Sequence, residues 1–190
     1  MNKDERHVVS PWNIANVLTV ARLALVPFFV FFMFLPGTGW RLTALGVFVV
    51  ASITDHLDGE LARRYGLITD FGKIADPMAD KALTGAALIC LSALNELPWW
   101  ITIAIMVREV GITIMRIMLL RRAVIPASYG GKVKTVLQIA AIVLYLLPGV
   151  PETLRWIVMG AALLVTVGTG VDYVVRAIRL RGVAKRVRGE

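Results

Sequence analysis

Four aspartates carry the most specific chemistry in this sequence. Asp55 and Asp58 stand three residues apart, and Asp76 and Asp80 stand four apart. On α-helices both spacings place a pair on one face, within about one turn. The connection between the two pairs is short, so two helices joined by it pack antiparallel and bring the four carboxylates together. Bare carboxylates at close range repel, and a divalent cation relieves the repulsion. Aspartate oxygens suit magnesium or manganese, which commonly bind a few carboxylates together with substrate phosphates. Gly59 and Ala62 carry almost no side chain near that face and admit a phosphate or a nucleotide to the helix backbone, while Arg63 is placed to reach a phosphate oxygen. The expected chemistry is metal-dependent transfer of a phosphoryl-type group. The plainer alternative is a set of solvated charges paired with Arg63, Arg64, Lys73 and Lys81. Glu60 and Asp70 fit that alternative, and His56 falls off the aspartates' face.

A second set is basic. Arg108 and Arg116 are eight residues apart in an apolar stretch, near one helix face, and Lys132 and Lys134 open the next stretch. Cations in such surroundings need anions. A small phosphorylated alcohol supplies one, so Arg108, Arg116, Lys132 and Lys134 are the expected acceptor-phosphate ligands. The alternative pairs Arg108 with Glu109 or another acid and leaves the lysines as orientation charges. A third set, Asn16, Thr19 and Arg22, recurs at a spacing of three on an apolar stretch. Such a stripe faces the bundle interior or a cavity. It either lines a nucleotide pocket, with Asn16 and Thr19 on the nucleotide, or makes hydrogen bonds between helices.

The elements that must position these residues follow from hydropathy. The chain has 190 residues, 57% of them hydrophobic and 18% charged, with a mean hydropathy of +0.72. Those values exclude a disordered chain and an ordinary soluble domain. Six apolar stretches are present, at about 14–35, 42–61, 76–94, 99–120, 133–147 and 154–178. Lipid offers no partners to backbone N–H and C=O groups, so these stretches are expected to be helices; the alternation of a membrane barrel is absent. The expected fold is an all-α integral membrane protein with six transmembrane helices in a single domain over 1–190. Residues 1–13 form a cytoplasmic segment, 14–178 the bundle and 179–190 a basic cytoplasmic tail. Turns are expected at 35–39, 95–98, 129–131 and 148–151, where Gly, Pro and Asn gather. The N-terminus, with Asp4 and Glu5 early and no small-residue cleavage site, does not read as a signal peptide. A single cysteine, Cys90, excludes a disulfide framework or a cysteine-based metal site within one chain.

The net charge of +8 and pI of about 10.2 acquire meaning once the spans are placed. An even number of spans puts both termini on one side. That side receives Lys3, Arg6, Arg63, Arg64, Lys73, Arg121, Arg122, Lys132 and the basic residues from Arg176 to Arg188, whereas the other receives Arg41 and Arg155. The bias predicts cytoplasmic termini. The basic tail then lies against anionic membrane lipids, and the basic balance calls for no nucleic acid. Trp12, Trp40, Trp99, Trp100 and Trp156 fall near span ends, as an interfacial belt requires.

The acidic segment reads D-x2-D-G-x2-A-R-x8-G-x3-D-x3-D, through Asp55, Asp58, Gly59, Ala62, Arg63, Gly72, Asp76 and Asp80. It resembles the signature of the CDP-alcohol phosphotransferase family, with every position filled. The resemblance implies that family's six-helix fold, usually a homodimer, and a site holding two ions, Mg2+ or Mn2+. It implies that Asp55, Asp58 and Asp76 are metal ligands, and that Asp80 contributes to the second ion and acts as general base. It also implies that Gly59, Ala62, Arg63 and Gly72, beside Asp55 and Asp58, hold the CDP moiety. Asn13 to Arg22 with Pro27, Arg108-Glu109-Val110 with Arg116, and Gly131 to Thr135 resemble the bacterial branch of the family that uses sn-glycerol 3-phosphate. Ala15 stands where that pattern often has Pro. This second resemblance implies transfer of a phosphatidyl group from CDP-diacylglycerol to sn-glycerol 3-phosphate, giving phosphatidylglycerophosphate and CMP, at the cytoplasmic face of the bacterial inner membrane. Branches that use phosphatidylglycerol (cardiolipin synthases) or inositol phosphate share the donor motif and stay open. A divalent-cation transporter is the alternative from another class. It calls for acids near mid-membrane on several spans, whereas these acids gather at one end of two consecutive spans.

Overall fold

A computed structural model of the chain describes the backbone of residues 14–65, 70–120 and 129–187, and the side chains of residues 17–55, 79, 81–115 and 130–175. Among the described residues all regular structure is helical: α1 (Ile14–Phe34), α2 (Thr38–Tyr65), α3 (Asp70–Ala93), α4 (Trp99–Leu120), α5 (Tyr129–Leu146) and α6 (Glu152–Val187). Each helix covers one of the six apolar stretches. Two contain a segment long and apolar enough to cross a membrane within the described residues, Val17–Phe34 and Glu152–Val175.

Several helices outrun their apolar stretches. The expected turn at Tyr129-Gly130-Gly131 is instead the first turn of α5, and α6 continues to Val187 through most of the expected tail. Glycine inside a helix costs only about 1 kcal/mol relative to alanine. That is little beside the hydrogen bonds a continuing helix satisfies. Hydropathy marks where a membrane ends, whereas the helix stops only where the backbone is redirected. The 28 residues of α2 exceed by about eight what a span requires, and the extra turns carry Asp58, Gly59, Ala62 and Arg63.

The redirections have identifiable causes. After α3, Asn95 adopts φ 58°, its N–H bonds to the Ser92 carbonyl at 3.1 Å, and the Glu96 N–H bonds to the Leu91 carbonyl at 2.9 Å. This paired arrangement satisfies the last carbonyls of a helix and favours a residue tolerant of the left-handed region. Gly37, at φ 111°, turns α1 into α2. Pro151 precedes α6, and its carbonyl accepts from the N–H groups of Leu154 and Arg155.

The helices form two compact groups, residues 1–90 with 146–148 and residues 91–145 with 149–190. In the first group α1 packs on α2. Phe29 and Met33 of α1, and Ala44, Phe48 and Ala51 of α2, are buried, and the Phe29 and Phe48 rings meet at 5.9 Å. Nearer the turn, Phe32 stacks on Trp40 at 5.5 Å. In the second group α4 packs on α6. Ile101 and Ile105 of α4, Ala141, Ile142 and Tyr145 of α5, and Met159 and Ala162 of α6 are buried.

Candidate functional site

In the first group the buried positions of α2 recur as Ala44, Phe48 and Ala51. Continuing that rhythm by four residues reaches Asp55. On α1 the buried positions run from Met33 and Phe29 to Arg22 and Thr19. The two stripes meet in register. Phe29 faces Phe48, and seven residues back along α1 and seven on along α2, Arg22 Nη1 donates to Asp55 Oδ1 at 2.5 Å. A stripe that is apolar at one end therefore finishes in an ion pair at the other. Arg22 is 1% exposed and Asp55 33%. The aspartate is anchored to a buried arginine and is itself part-exposed. Of the two roles open to the stripe of Asn16, Thr19 and Arg22, Arg22 makes an interhelical bond, and Thr19 is buried one turn before it.

Asp58, Gly59, Ala62 and Arg63 follow in α2, Gly72, Asp76 and Asp80 lie in α3, and Asn16 lies in α1. The side chains of all eight, and of Arg116 in α4, lie outside the described residues, as do residues 1–13 and the connections at 66–69 and 121–128. The backbone is helical through both aspartate pairs, so the spacings of three and four run along helices as expected. Asp55 offers a hard oxygen donor at a part-exposed position, Asp58 follows it in α2, and Asp76 and Asp80 lie in α3. A donor set made of carboxylate oxygens fits magnesium or manganese and offers nothing a soft metal prefers.

The second group holds the basic set. On α4 the buried positions Ile101 and Ile105 are followed, again after four residues, by Glu109. On α5, Lys134 and, one turn further on, Gln138 are buried. Glu109 Oε1 accepts from Lys134 Nζ at 2.7 Å and from Arg108 Nη1 at 2.9 Å. Arg108 also crosses to α6, where its Nε donates to the Thr166 carbonyl at 3.1 Å and its Nη2 to Thr169 Oγ1 at 2.9 Å. Its stem lies against Gly170, where an added Cβ would stand 3.0 Å from Arg108 Cγ. The structure thus brings Arg108 and Lys134 together, through the acid that the sequence offered as Arg108's alternative partner. Lys132 is exposed at the start of α5.

Thr166, Thr169 and Gly170 escaped the sequence reading, which found in this region only an apolar stretch. A signal was present. Ala162, Thr166 and Gly170 recur every four residues, the small-residue pattern that lets helices approach closely in membranes.

Comparison with known proteins places this arrangement. The family model described as CDP-alcohol phosphatidyltransferase matches residues 12–168. A probable phosphatidylglycerophosphate synthase of Mycobacterium tuberculosis is 51% identical over 172 residues, covering 88% of this chain and 82% of that protein. The CDP-diacylglycerol–glycerol-3-phosphate 3-phosphatidyltransferase of Bacillus subtilis is 39% identical over 153 residues, covering 74% of this chain and 79% of the relative. Its namesake in Escherichia coli K12 is 37% identical over 137 residues, covering 69% and 75%. The matched region takes in both aspartate pairs and the Arg108–Glu109–Lys134 cluster. The chain belongs to the CDP-alcohol phosphatidyltransferase family.

Proposed function

We propose that this protein transfers the phosphatidyl group of CDP-diacylglycerol to sn-glycerol 3-phosphate, forming phosphatidylglycerophosphate and releasing CMP. The observation that carries this reading is the complete aspartate signature running along α2 and α3, in a chain 51% identical to a relative named for that synthesis. The family generally works with a divalent cation; two ions, Mg2+ or Mn2+, are this reading's assignment. Asp55, Asp58, Asp76 and Asp80 would hold them, and when bound they neutralise the diphosphate and the charge that develops as CMP leaves. Gly59, Ala62, Arg63 and Gly72 hold the CDP moiety, with Asn16 and Thr19 beside it. Asp80 takes the proton of the acceptor hydroxyl as that oxygen attacks the phosphatidyl phosphorus and the bond to CMP breaks.

Arg108, Arg116, Lys132 and Lys134 take the acceptor's phosphate. Glu109 binds Arg108 and Lys134 without cancelling them. Among these three side chains the two cations outnumber the one carboxylate, which suits a phosphate.

The bundle crosses the bacterial inner membrane six times, with both termini and the aspartates on the cytoplasmic side, and works as a homodimer. Support for the membrane placement comes from exposure. Leu164, Val107, Val136 and Ile157 are each more than 60% exposed, an arrangement suited to lipid. Trp40, Trp99 and Trp156 are exposed at the starts of α2, α4 and α6, as an interfacial belt places them.

The test is CMP release by the purified protein in detergent, with CDP-diacylglycerol and Mg2+ or Mn2+. Glycerol 3-phosphate, phosphatidylglycerol and inositol phosphate are offered in parallel. Turnover is expected with glycerol 3-phosphate alone, to be abolished by a chelator and by Asp80→Asn. Turnover with another acceptor would keep the family and reject the assignment of the acceptor.

A further inference from the structure

Glu109 lies between two cations. It is 8% exposed, and a single oxygen, Oε1, receives both Arg108 Nη1 and Lys134 Nζ. The two cations are therefore no farther apart than those two bonds laid end to end. At that separation, away from water, they repel strongly unless a carboxylate lies between them. Position along the helix explains why the acid is there. Ile101, Ile105 and Glu109 form one buried stripe on α4, so residue 109 points into the group while Arg108 lies beside it and turns toward α6. On α6 the Arg108 guanidinium meets the Thr166 carbonyl and Thr169 Oγ1, and the stem lies close against Gly170, where an added Cβ would stand 3.0 Å from Cγ and press on it. The pair is thus fixed from two directions. Glu109 sets the separation of the cations, and α6 sets where the arginine end lies.

We infer that Glu109 is a positioning residue of the acceptor site: it holds Arg108 and Lys134 together as a preassembled receptor for the phosphate of a small phosphorylated alcohol. The inference rests on the reading that these two cations take that phosphate. Preassembly matters because ordering two long, mutually repelling side chains at the moment of binding would be charged against affinity. Glu109 touches no reacting atom. Its loss is expected to weaken acceptor binding and to leave donor binding alone.

The experiment measures CMP release in detergent, varying glycerol 3-phosphate at saturating CDP-diacylglycerol and then the reverse. Glu109→Gln keeps the shape and removes the charge. It is expected to raise the KM for glycerol 3-phosphate about tenfold or more, the scale on which the loss of an orienting partner weakens a bound site, with the KM for CDP-diacylglycerol unchanged. Glu109→Asp is expected to recover part of the loss. Gly170→Ala leaves every charge in place and crowds only Arg108; it should raise the same KM severalfold, and it serves as the deciding variant if Glu109→Gln does not fold. Equal loss with both substrates, or a fall in kcat with both KM values unchanged, would make Glu109 merely structural and overturn the inference. Lys134→Gln separates the two levels. If it raises the acceptor KM while Glu109→Gln and Gly170→Ala do not, the inference alone falls. If it too leaves the acceptor KM unchanged, the acceptor-site reading falls and the inference with it.

Discussion

Asp55 serves two masters, and its partners make the roles separable. Under the proposed function it is a metal ligand; in the fold it is the counter-charge of Arg22, which is 1% exposed. Removing one member of such a pair leaves the other's charge poorly compensated, a larger effect than losing the hydrogen bond alone. Asp55→Asn is therefore expected to abolish CMP release and also to lower stability, by about 2 kcal/mol. The double variant Arg22→Met with Asp55→Asn removes both charges and should regain most of that stability with no return of activity. A thermal unfolding series in detergent, read beside turnover, checks both halves. If the single variant unfolds at the wild-type temperature, the ion pair contributes nothing and Asp55 belongs to the metal site alone.

The helices show how far the sequence could be read. Their number and places followed from hydropathy, because each apolar stretch had to satisfy its own backbone. Their ends did not. Tyr129-Gly130-Gly131 has a turn's composition and a helix's structure, since glycine permits a turn without requiring one. That both aspartate pairs run along helices was legible because spacings of three and four are helical ones. The Arg108–Glu109 pair was legible as an alternative because its members are neighbours in sequence. The Lys134–Glu109 bond and the α6 contacts join residues 25 to 61 positions apart, which no local pattern encodes. The α6 glycines carry a prediction of their own. A Cβ at Gly160 or Gly168 meets nothing within 4 Å, whereas one at Gly170 meets Arg108. Gly160→Ala should keep wild-type KM values and gain up to about 1 kcal/mol of helix stability. A rise in acceptor KM equal to that of Gly170→Ala would show that α6 tolerates no added side chain and that position 170 is not special.

At the scale of the whole molecule, the decisive quantity is where charge and apolar surface lie along the bundle. In the first group the buried stripes of α1 and α2 turn from phenylalanine and alanine to Arg22 and Asp55. In the second, those of α4 and α5 turn from isoleucine to Glu109 and Lys134. Each group is thus apolar at one end and ionic at the other. Under the proposed topology, six spans with cytoplasmic termini, Arg22 and Asp55 in the first group and Glu109 and Lys134 in the second would each lie toward the cytoplasmic ends of their helices. That orientation would put the basic residues near anionic lipid and the proposed phosphate ligands where a soluble phosphorylated acceptor could reach them. It also predicts accessibility. The native thiol, Cys90, is buried and is best replaced by alanine to clear the background. In that chain, Thr38→Cys at the start of α2 and Val150→Cys just before α6 should react with an impermeant thiol reagent added to intact cells. Ser128→Cys, just before α5, should react only after the inner membrane is opened. The reverse pattern would put the aspartates outside and would reject the proposed topology. Labelling of all three from outside would reject the six-span reading instead.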